Sequence, residues 1–206
     1  MKSRMSIWVF CLLCLSGLSF LSFWQQSFLN PTDIDEYQVA SKDSHPIAPS
    51  VQEITSMPIS VEWERTKEKT AISPVGVDQF NRMGVIEGLE TTSWYQNGPI
   101  PGNAGNALIA GHRDWKGKLG SFHYLETIDQ NERVKITYQD GESRTFVTVS
   151  KRVYSLDQIP SSVMDLSGET RVTLITCTGN FVREKGGYQK KIVVILYPLE
   201  NERNKL

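Results

Sequence analysis

The sequence predicts an all-β domain between residues 58 and 200, folded as a closed or nearly closed barrel of about eight strands. Short runs of alternating or β-branched residues recur throughout this region, and this composition is typical of strands. No run with helical periodicity is long enough to form the crossover between two parallel strands. A domain made of many short strands has unpaired sheet edges, and closing the sheet into a barrel removes them.

The first half of the predicted domain consists of short strands and turns. Residues 59–63 alternate, residues 69–73 supply a partner strand, and residues 106–110 form a compact apolar strand. The segment 94–102 places glycine and proline beside aromatic residues, which predicts a loop. Residues 121–125 are predicted to form a short helix that packs on the domain.

The second half contains the longer strands. Residues 133–138 alternate, and the Asp-Gly pair at 140–141 predicts a tight turn into a returning strand over 144–153. Residues 172–177 and 190–197 are rich in β-branched residues and complete the barrel. The Thr-Gly pair that follows residue 177 predicts the end of that strand.

The amino terminus has the pattern of a membrane anchor. Lys2 and Arg4 precede an apolar stretch of 18 residues, 7–24. A helix of that length spans ~27 Å at ~1.5 Å per residue, which is close to the ~30 Å of a hydrocarbon core. Residues 1–24 therefore predict a signal anchor, with a cleaved signal peptide as the alternative. The positive-inside rule then places the remainder of the chain outside the cytoplasm, as a single-pass protein of the cell membrane.

Composition also indicates what the remaining segments are and which class of partner is not expected. Residues 25–57 are polar and contain scattered prolines, which predicts an extracytoplasmic linker, and residues 201–206 form a polar tail. The net charge is −1, and no long run of like charge is present. We therefore expect no nucleic-acid partner.

Cys177 is the cysteine that could be reactive. Cys11 and Cys14 lie in the predicted membrane segment, where they cannot pair with Cys177. An unpaired thiol in an exported domain is a candidate nucleophile, and the alternative is a small buried side chain without chemical function.

Only the thiolate attacks, so Cys177 needs a base or a counter-charge. His45 falls in the linker, and His123 lies between two aromatic residues that suggest packing. His112 directly follows the apolar strand 106–110 and Gly111. By elimination and by position, His112 is the predicted base.

Several motifs together resemble the sortases, which are membrane-anchored cysteine transpeptidases of Gram-positive bacteria. They are Ala-Leu-Ile-Ala-Gly-His-Arg-Asp at 107–114, Leu-Ile-Thr-Cys at 174–177, Pro-Val-Gly-Val-Asp at 74–78, Trp-Tyr-Gln-Asn-Gly-Pro at 94–99 and a final valine-rich strand. Their order and spacing extend over the whole predicted domain, and the pattern is similar to the smaller sortases of classes D to F. The resemblance implies a sortase-like barrel.

The resemblance also implies roles for the candidate residues. Cys177 would attack the Thr–Gly or Thr–Ala bond of a Leu-Pro-x-Thr sorting signal and form a thioester acyl-enzyme. His112 would protonate the leaving amine and later activate the incoming one. The implied partners are surface proteins that carry sorting signals and an acceptor amine of a cell-wall peptide or a pilin lysine. Resolution by water would make the enzyme a peptidase.

One position departs from the family pattern. Sortases carry an essential arginine at the start of the final strand, and direct alignment places Gln189 there. Lys191, which alternation puts on the same face as Gln189, and Arg183, in the segment after Cys177, are alternative cationic donors. The missing arginine keeps a second hypothesis open, in which the protein is a weak or inactive sortase fold that binds sorting-signal peptides.

The sequence also bears on two further classes of site. An L,D-transpeptidase places its cysteine shortly after a His-Gly motif, whereas His112 and Cys177 are 65 positions apart, so we set that class aside. No metal-ligand spacing is present, and no cofactor is expected, although activation by calcium stays open.

Overall fold

The computed structural model describes residues 53–199 and confirms an all-β fold with short helical segments. The strands are β1 (Pro58–Trp63), β2 (Lys69–Val75), β3 (Thr91–Tyr95), β4 (Asn106–Ala110), β5 (Asp114–Trp115), β6 (Lys118–Leu119), β7 (Arg133–Tyr138), β8 (Ser143–Ser155), β9 (Arg171–Val182) and β10 (Gly187–Pro198). The helical segments are 3₁₀ turns at Ser121–Glu126, Leu156–Gln158 and Arg183–Lys185 and the single α-helical turn α1 (Ser161–Met164).

Eight of these strands form a closed barrel in the order β1-β2-β3-β4-β9-β10-β8-β7. Closure by the β1–β7 pair removes the free edges, as the sequence predicts. The two remaining strands, β5 and β6, form a separate hairpin that the sequence does not predict. Within the barrel, β2 pairs with β3, and β4 with β9, in parallel.

The core is filled by the alternating side chains of the strands. Val134, Ile136 and Tyr138 on β7 are all buried, as their spacing predicts. The Tyr138 hydroxyl donates to the Pro101 carbonyl oxygen at 2.5 Å, and burial raises the pKa of this phenol. Trp63 meets Phe122 of the first 3₁₀ turn edge-to-face, with ring centroids 5.9 Å apart, so the predicted short helix does pack on the barrel.

Strand β3 was not predicted, and its last two residues, Trp94 and Tyr95, were wrongly assigned to the loop 94–102. Trp94 is buried in the core, but the two other buried residues of the strand are polar. Thr92 and Ser93 have no solvent exposure, although the sequence around them is not apolar. The Thr92 hydroxyl donates to the Ala71 carbonyl at 3.0 Å, and Ser93 Oγ accepts from the Ile86 amide at 2.8 Å. These hydrogen bonds offset the free-energy cost of burying the two hydroxyls. The hydrophobic pattern of a sequence does not show that polar residues such as these are buried.

The prediction that β9 ends just after Cys177 was wrong. The strand continues for five residues to Val182, because β10 runs beside it over that length. Gly179, with φ of +83°, marks a β-bulge in which Gly179 and Asn180 together face one residue of β10. The Thr-Gly signal therefore marks a bulge inside a strand.

The segment that leads into β1 is fastened to the loop before β4. Asn103 Oδ1 accepts from the Ile54 amide and Asn103 Nδ2 donates to the Ile54 carbonyl, both at 2.8 Å. Residues 53–55 and this loop border a cavity of about 790 Å³.

The predicted anchor 1–24, most of the linker 25–57 and the tail 201–206 lie outside the residues that the structure describes. Between residues 53 and 199, no helix has the length and apolar character needed to cross a membrane.

Candidate active site

The parallel pairing of β4 with β9 sets His112 beside Cys177. The register pairs Ala110 with Ile175, and two residues further along each strand come His112 and Cys177. The Gly111 amide donates to the Ile175 carbonyl at 3.1 Å, and the Thr176 hydroxyl donates to the Gly111 carbonyl at 2.8 Å. The two predicted catalytic side chains thus lie at the same end of the strand pair, and both line one cavity of about 350 Å³.

The turn after β4 is built to present the imidazole. A Cβ at Gly111 would lie 2.7 Å from the Phe122 ring, and one at Gly120 would lie 2.4 Å from the His112 carbonyl oxygen. Glycine is therefore required on both sides of this close packing. The Trp115 ring lies 4.9 Å from the His112 ring, centroid to centroid, at an angle of 38°. These contacts restrict the positions that the imidazole can occupy.

Lys191 is the cationic candidate that reaches the thiol. It is the direct cross-strand partner of Cys177 on β10, and Lys191 Nζ lies 3.1 Å from Cys177 Sγ. Cys177 is a free cysteine and is half-buried. An ammonium group at this distance can donate a hydrogen bond to the sulfur. The same group can donate to an oxyanion that develops on a carbonyl attacked by the sulfur.

The structure places Gln189 and Arg183 elsewhere. Gln189 Nε2 donates to the Gly187 carbonyl at 2.8 Å, and its side chain lines a separate depression with the Gly179 bulge. The pairing of β10 with β9 shifts register between Tyr188 and Lys190, so Gln189 faces the bulge at Gly179 and Asn180, whereas Lys191 faces Cys177. Arg183 is exposed in the 3₁₀ turn after β9.

Sequence reasoning missed an ionic network beside the thiol. Arg113 Nε donates to Glu126 Oε1 and an Arg113 terminal nitrogen donates to Asp114 Oδ2, each at 2.7 Å. The Thr178 hydroxyl also donates to Glu126 Oε1 at 2.7 Å, and the Tyr188 hydroxyl donates to Asp114 Oδ2. The network therefore joins the turn after His112 to the residue that follows Cys177 and to β10.

The charges of this network stabilise one another. The hydrogen bond from Arg113 is the largest cause that lowers the pKa of Glu126, and burial opposes it. Burial is the largest single influence on Asp114 and raises its pKa, but the bonds from Tyr188 and Arg113 together lower it below its usual value. The bond to Asp114 in turn raises the pKa of Tyr188.

These contacts flank the reactive pair on both sides. Thr176, before Cys177, bonds to Gly111, before His112. Thr178, after Cys177, connects through Glu126 to Arg113, after His112. The His-Arg-Asp sequence is visible as a motif, but the two other partners of Arg113, Glu126 and Tyr188, lie 13 and 75 positions away, and one sequence gives no sign of such pairs.

Aromatic side chains form the walls of the cavity. Trp115, Phe181 and Tyr188 line it, and the last two rings meet edge-to-face at 5.5 Å. Phe181 is 61% exposed, so much of its ring is open to a molecule that enters the cavity. Within residues 53–199, no cluster of three or more metal-ligating side chains occurs.

Comparisons with known proteins agree with this architecture. The family profile described as a sortase domain matches residues 65–198, which is more than half of the chain. No curated protein sequence matches.

Solved structures provide the likeness in fold. Sortase A from Corynebacterium diphtheriae matches with 18% identity and a TM-score of 0.51, over 72% of this chain and 64% of that one. Sortase C1 from Streptococcus agalactiae, in complex with MTSET, gives 18% identity, a TM-score of 0.54 and coverage of 72% of both chains. Sortase A from Listeria monocytogenes gives 17%, a TM-score of 0.52 and coverage of 71% of this chain and 89% of that one. The chain thus spans less than two thirds of the Corynebacterium protein, and identities this low show the fold alone.

Proposed function

The chain belongs to the sortase family, and from this premise we propose that it is a cysteine transpeptidase acting on a Leu-Pro-x-Thr-Gly/Ala-like sorting signal. One observation supports this proposal above the others. Cys177, His112 and Lys191 converge from three neighbouring strands, and Lys191 Nζ lies 3.1 Å from the Cys177 sulfur. A nucleophile and a base that line one cavity, with a cation beside the nucleophile, are the groups that acyl transfer requires.

In the first half-reaction, the Cys177 thiolate attacks the threonine carbonyl of the signal. The C–S bond forms, and negative charge collects on the carbonyl oxygen, where the Lys191 ammonium can stabilise it. The intermediate collapses as the C–N bond breaks, and His112 protonates the leaving amine. The product is a thioester between the threonine carbonyl and Cys177.

In the second half-reaction, His112 takes a proton from the incoming amine, which attacks the thioester carbonyl carbon. The C–N bond forms, the C–S bond breaks, and Cys177 leaves as the thiolate. A cell-wall peptide or a pilin lysine is the proposed acceptor. Lys191 then carries the charge that the family assigns to arginine. A lysine offers a point charge where arginine offers a planar fork of donors, so we expect weaker orientation of the oxyanion.

We extend the proposal to class and location. The helical elements of residues 53–199 are short 3₁₀ and α-helical turns. The small amount of helix supports the smaller class D to F type. The apolar stretch 7–24 supports a single-pass anchor, with the catalytic domain outside the cytoplasm.

A peptide assay on the full chain in detergent micelles tests the proposal. A fluorophore-labelled Leu-Pro-x-Thr-Gly peptide is incubated with the protein, with and without triglycine as acceptor. We expect a hydroxylamine-labile adduct on Cys177 by intact mass, and a transpeptidation product when triglycine is present. Binding of the peptide by fluorescence anisotropy without either product would support the inactive, peptide-binding alternative.

A further inference from the structure

Lys191 carries a second chemistry besides its charge. Its side chain ends in a primary amine that lies 3.1 Å from Cys177 Sγ. Any acyl group on that sulfur has its carbonyl carbon one bond further on, within the range of a flexible four-carbon stem. The backbone of Lys191 is fixed between Cys177 on β9 and Tyr154 on β8 by antiparallel pairing, so the side chain that carries the amine starts from a fixed position beside Cys177.

We propose that Lys191 is a site of self-acylation, where the thioester on Cys177 transfers its acyl group to Lys191 Nζ. The inference rests on the proposed function, because it needs the acyl-enzyme as its starting point. The modification would be an amide that joins the threonine carbonyl of a sorting-signal peptide to the lysine side chain.

The step balances without another reactant. The lone pair of the unprotonated Nζ attacks the thioester carbonyl carbon, the C–N bond forms and the C–S bond breaks. Cys177 departs as a thiolate, and the proton released from Nζ passes to that thiolate or to the His112 imidazole. No oxidant or reductant takes part.

Proximity favours this transfer strongly. Two groups held in reacting geometry behave as though one were present at ~10⁵ M or more, whereas an external amine must first bind. The protonation of lysine is what restrains the reaction, because only the neutral amine is a nucleophile. An arginine beside Cys177 would not react in this way, since its guanidinium stays protonated.

Self-acylation makes the activity of the enzyme depend on the supply of acceptor amine. An external amine competes with Lys191 for the same thioester, so the internal amide accumulates when acceptor is scarce. Once acylated, Lys191 loses its charge, and the attached peptide fills the space beside Cys177. The chain would then stop after one turnover.

The test separates two kinds of adduct on the full chain in detergent micelles. The protein is incubated at pH 8.5 with a Leu-Pro-x-Thr-Gly peptide and no acceptor, treated with hydroxylamine, and analysed by intact mass and peptide mapping. A thioester is removed by hydroxylamine and an amide is retained. We expect a retained adduct that grows with time, maps to Lys191 and decreases when triglycine is added.

Two variants complete the design. Lys191→Arg keeps a cation but has no reactive amine, so its adduct should be wholly labile. Lys190→Arg is the matched control on the adjacent, exposed position, and its retained adduct should equal that of the wild type. A wild-type adduct that is entirely labile, or a retained one that maps elsewhere, overturns the inference and leaves the proposed function intact. Failure to form either adduct contradicts the proposed function itself.

Discussion

The two ends of the parallel β4–β9 pair carry polar clusters that differ in charge and in burial. At the start of the strands, Asn106 is fully buried, and its Nδ2 donates to the carbonyls of Val163 and Asp165 at 3.0 and 2.9 Å. Its Oδ1 accepts from the Thr173 hydroxyl at 2.7 Å. At the other end, Cys177 is half-buried beside a cavity and charged groups.

The difference shows how one strand pair serves both stability and chemistry. The amide at the start is neutral and has every hydrogen-bonding group satisfied, which rigidifies the strands. The thiol at the end faces a cavity that is lined by aromatic and charged side chains and that is open to a substrate. Substitutions at the two ends should therefore separate loss of activity from loss of stability.

The largest effect on activity should come from Cys177→Ala. Removing the thiol removes the atom that carries the acyl group, so thioester formation by intact mass should be abolished. Thermal unfolding should change little, because the thiol makes no buried contact that the core requires. Turnover at the wild-type rate in this variant would refute the assignment of the nucleophile.

Lys191→Ala should be the next most damaging to catalysis. Loss of one oxyanion donor costs about 100- to 1000-fold in rate, and the reduction in kcat should be of that order. Lys191→Arg serves as the charge-conserving comparison and should recover most of the loss. Equal kcat values for the alanine and arginine variants would mean that Lys191 supplies no charge to the reaction.

Asn106→Ala should affect the opposite end. Three hydrogen bonds are lost and buried acceptors are left unpaired, so we expect the free energy of unfolding to fall by about 3 kcal/mol. Denaturant unfolding measures this, and activity per folded molecule should stay near that of the wild type. A stable protein with lost turnover would show instead that the amide acts on the site.

Glu126→Gln tests whether the ionic network positions the reactive pair. Glu126 links Thr178 to Arg113, and its loss should lower kcat about tenfold with little change in KM, because the geometry of the bound peptide is altered more than its affinity. Glu126→Asp, which keeps the charge, should recover part of the loss. An unchanged kcat would assign the network a purely structural role.

The same network gives a pH dependence of stability. The pKa values of Glu126 and Asp114 are lowered in the folded protein, so their contribution is present above the unfolded pKa. It is lost as the pH falls through the lowered folded values. Unfolding free energies measured from pH 7 downward should decline less in a Glu126→Gln variant than in the wild type.

The smallest effect is expected from Gln189→Arg. The Gln189 side chain lies at the bulge depression and bonds to Gly187, away from the thiol, so kcat/KM should change less than about twofold. A large gain in kcat/KM would mean that an arginine at this position can reach the oxyanion after all.

The barrel and the proximity of His112 and Cys177 could be predicted because each rests on local patterns. Alternation identifies β7, and a compact apolar run followed by Gly-His identifies β4 and the base. The cation could not be assigned in this way. The bulge at Gly179 adds one residue to β9 and so changes which residues of β9 and β10 face each other. Counting alternate positions along β10 does not reveal an extra residue in β9.

The Glu126 network was hidden for a different reason. Its members lie on the turn after β4, on a 3₁₀ turn, on β9 and on β10, and the closed barrel brings these four elements together. Side-chain pairs over such separations depend on the tertiary fold, whereas strands depend on neighbours in sequence.

The amide of Asn103 fixes the start of the described chain at one end of β4. It holds Ile54 through two hydrogen bonds to the loop that precedes Asn106. His112 follows the other end of β4, nine residues beyond Asn103. The two Asn103 bonds and the cavity lined by His112 and Cys177 therefore lie at opposite ends of one short strand. Loss of the Asn103 amide should release residues 53–55 from the barrel and leave the arrangement of His112 and Cys177 unchanged.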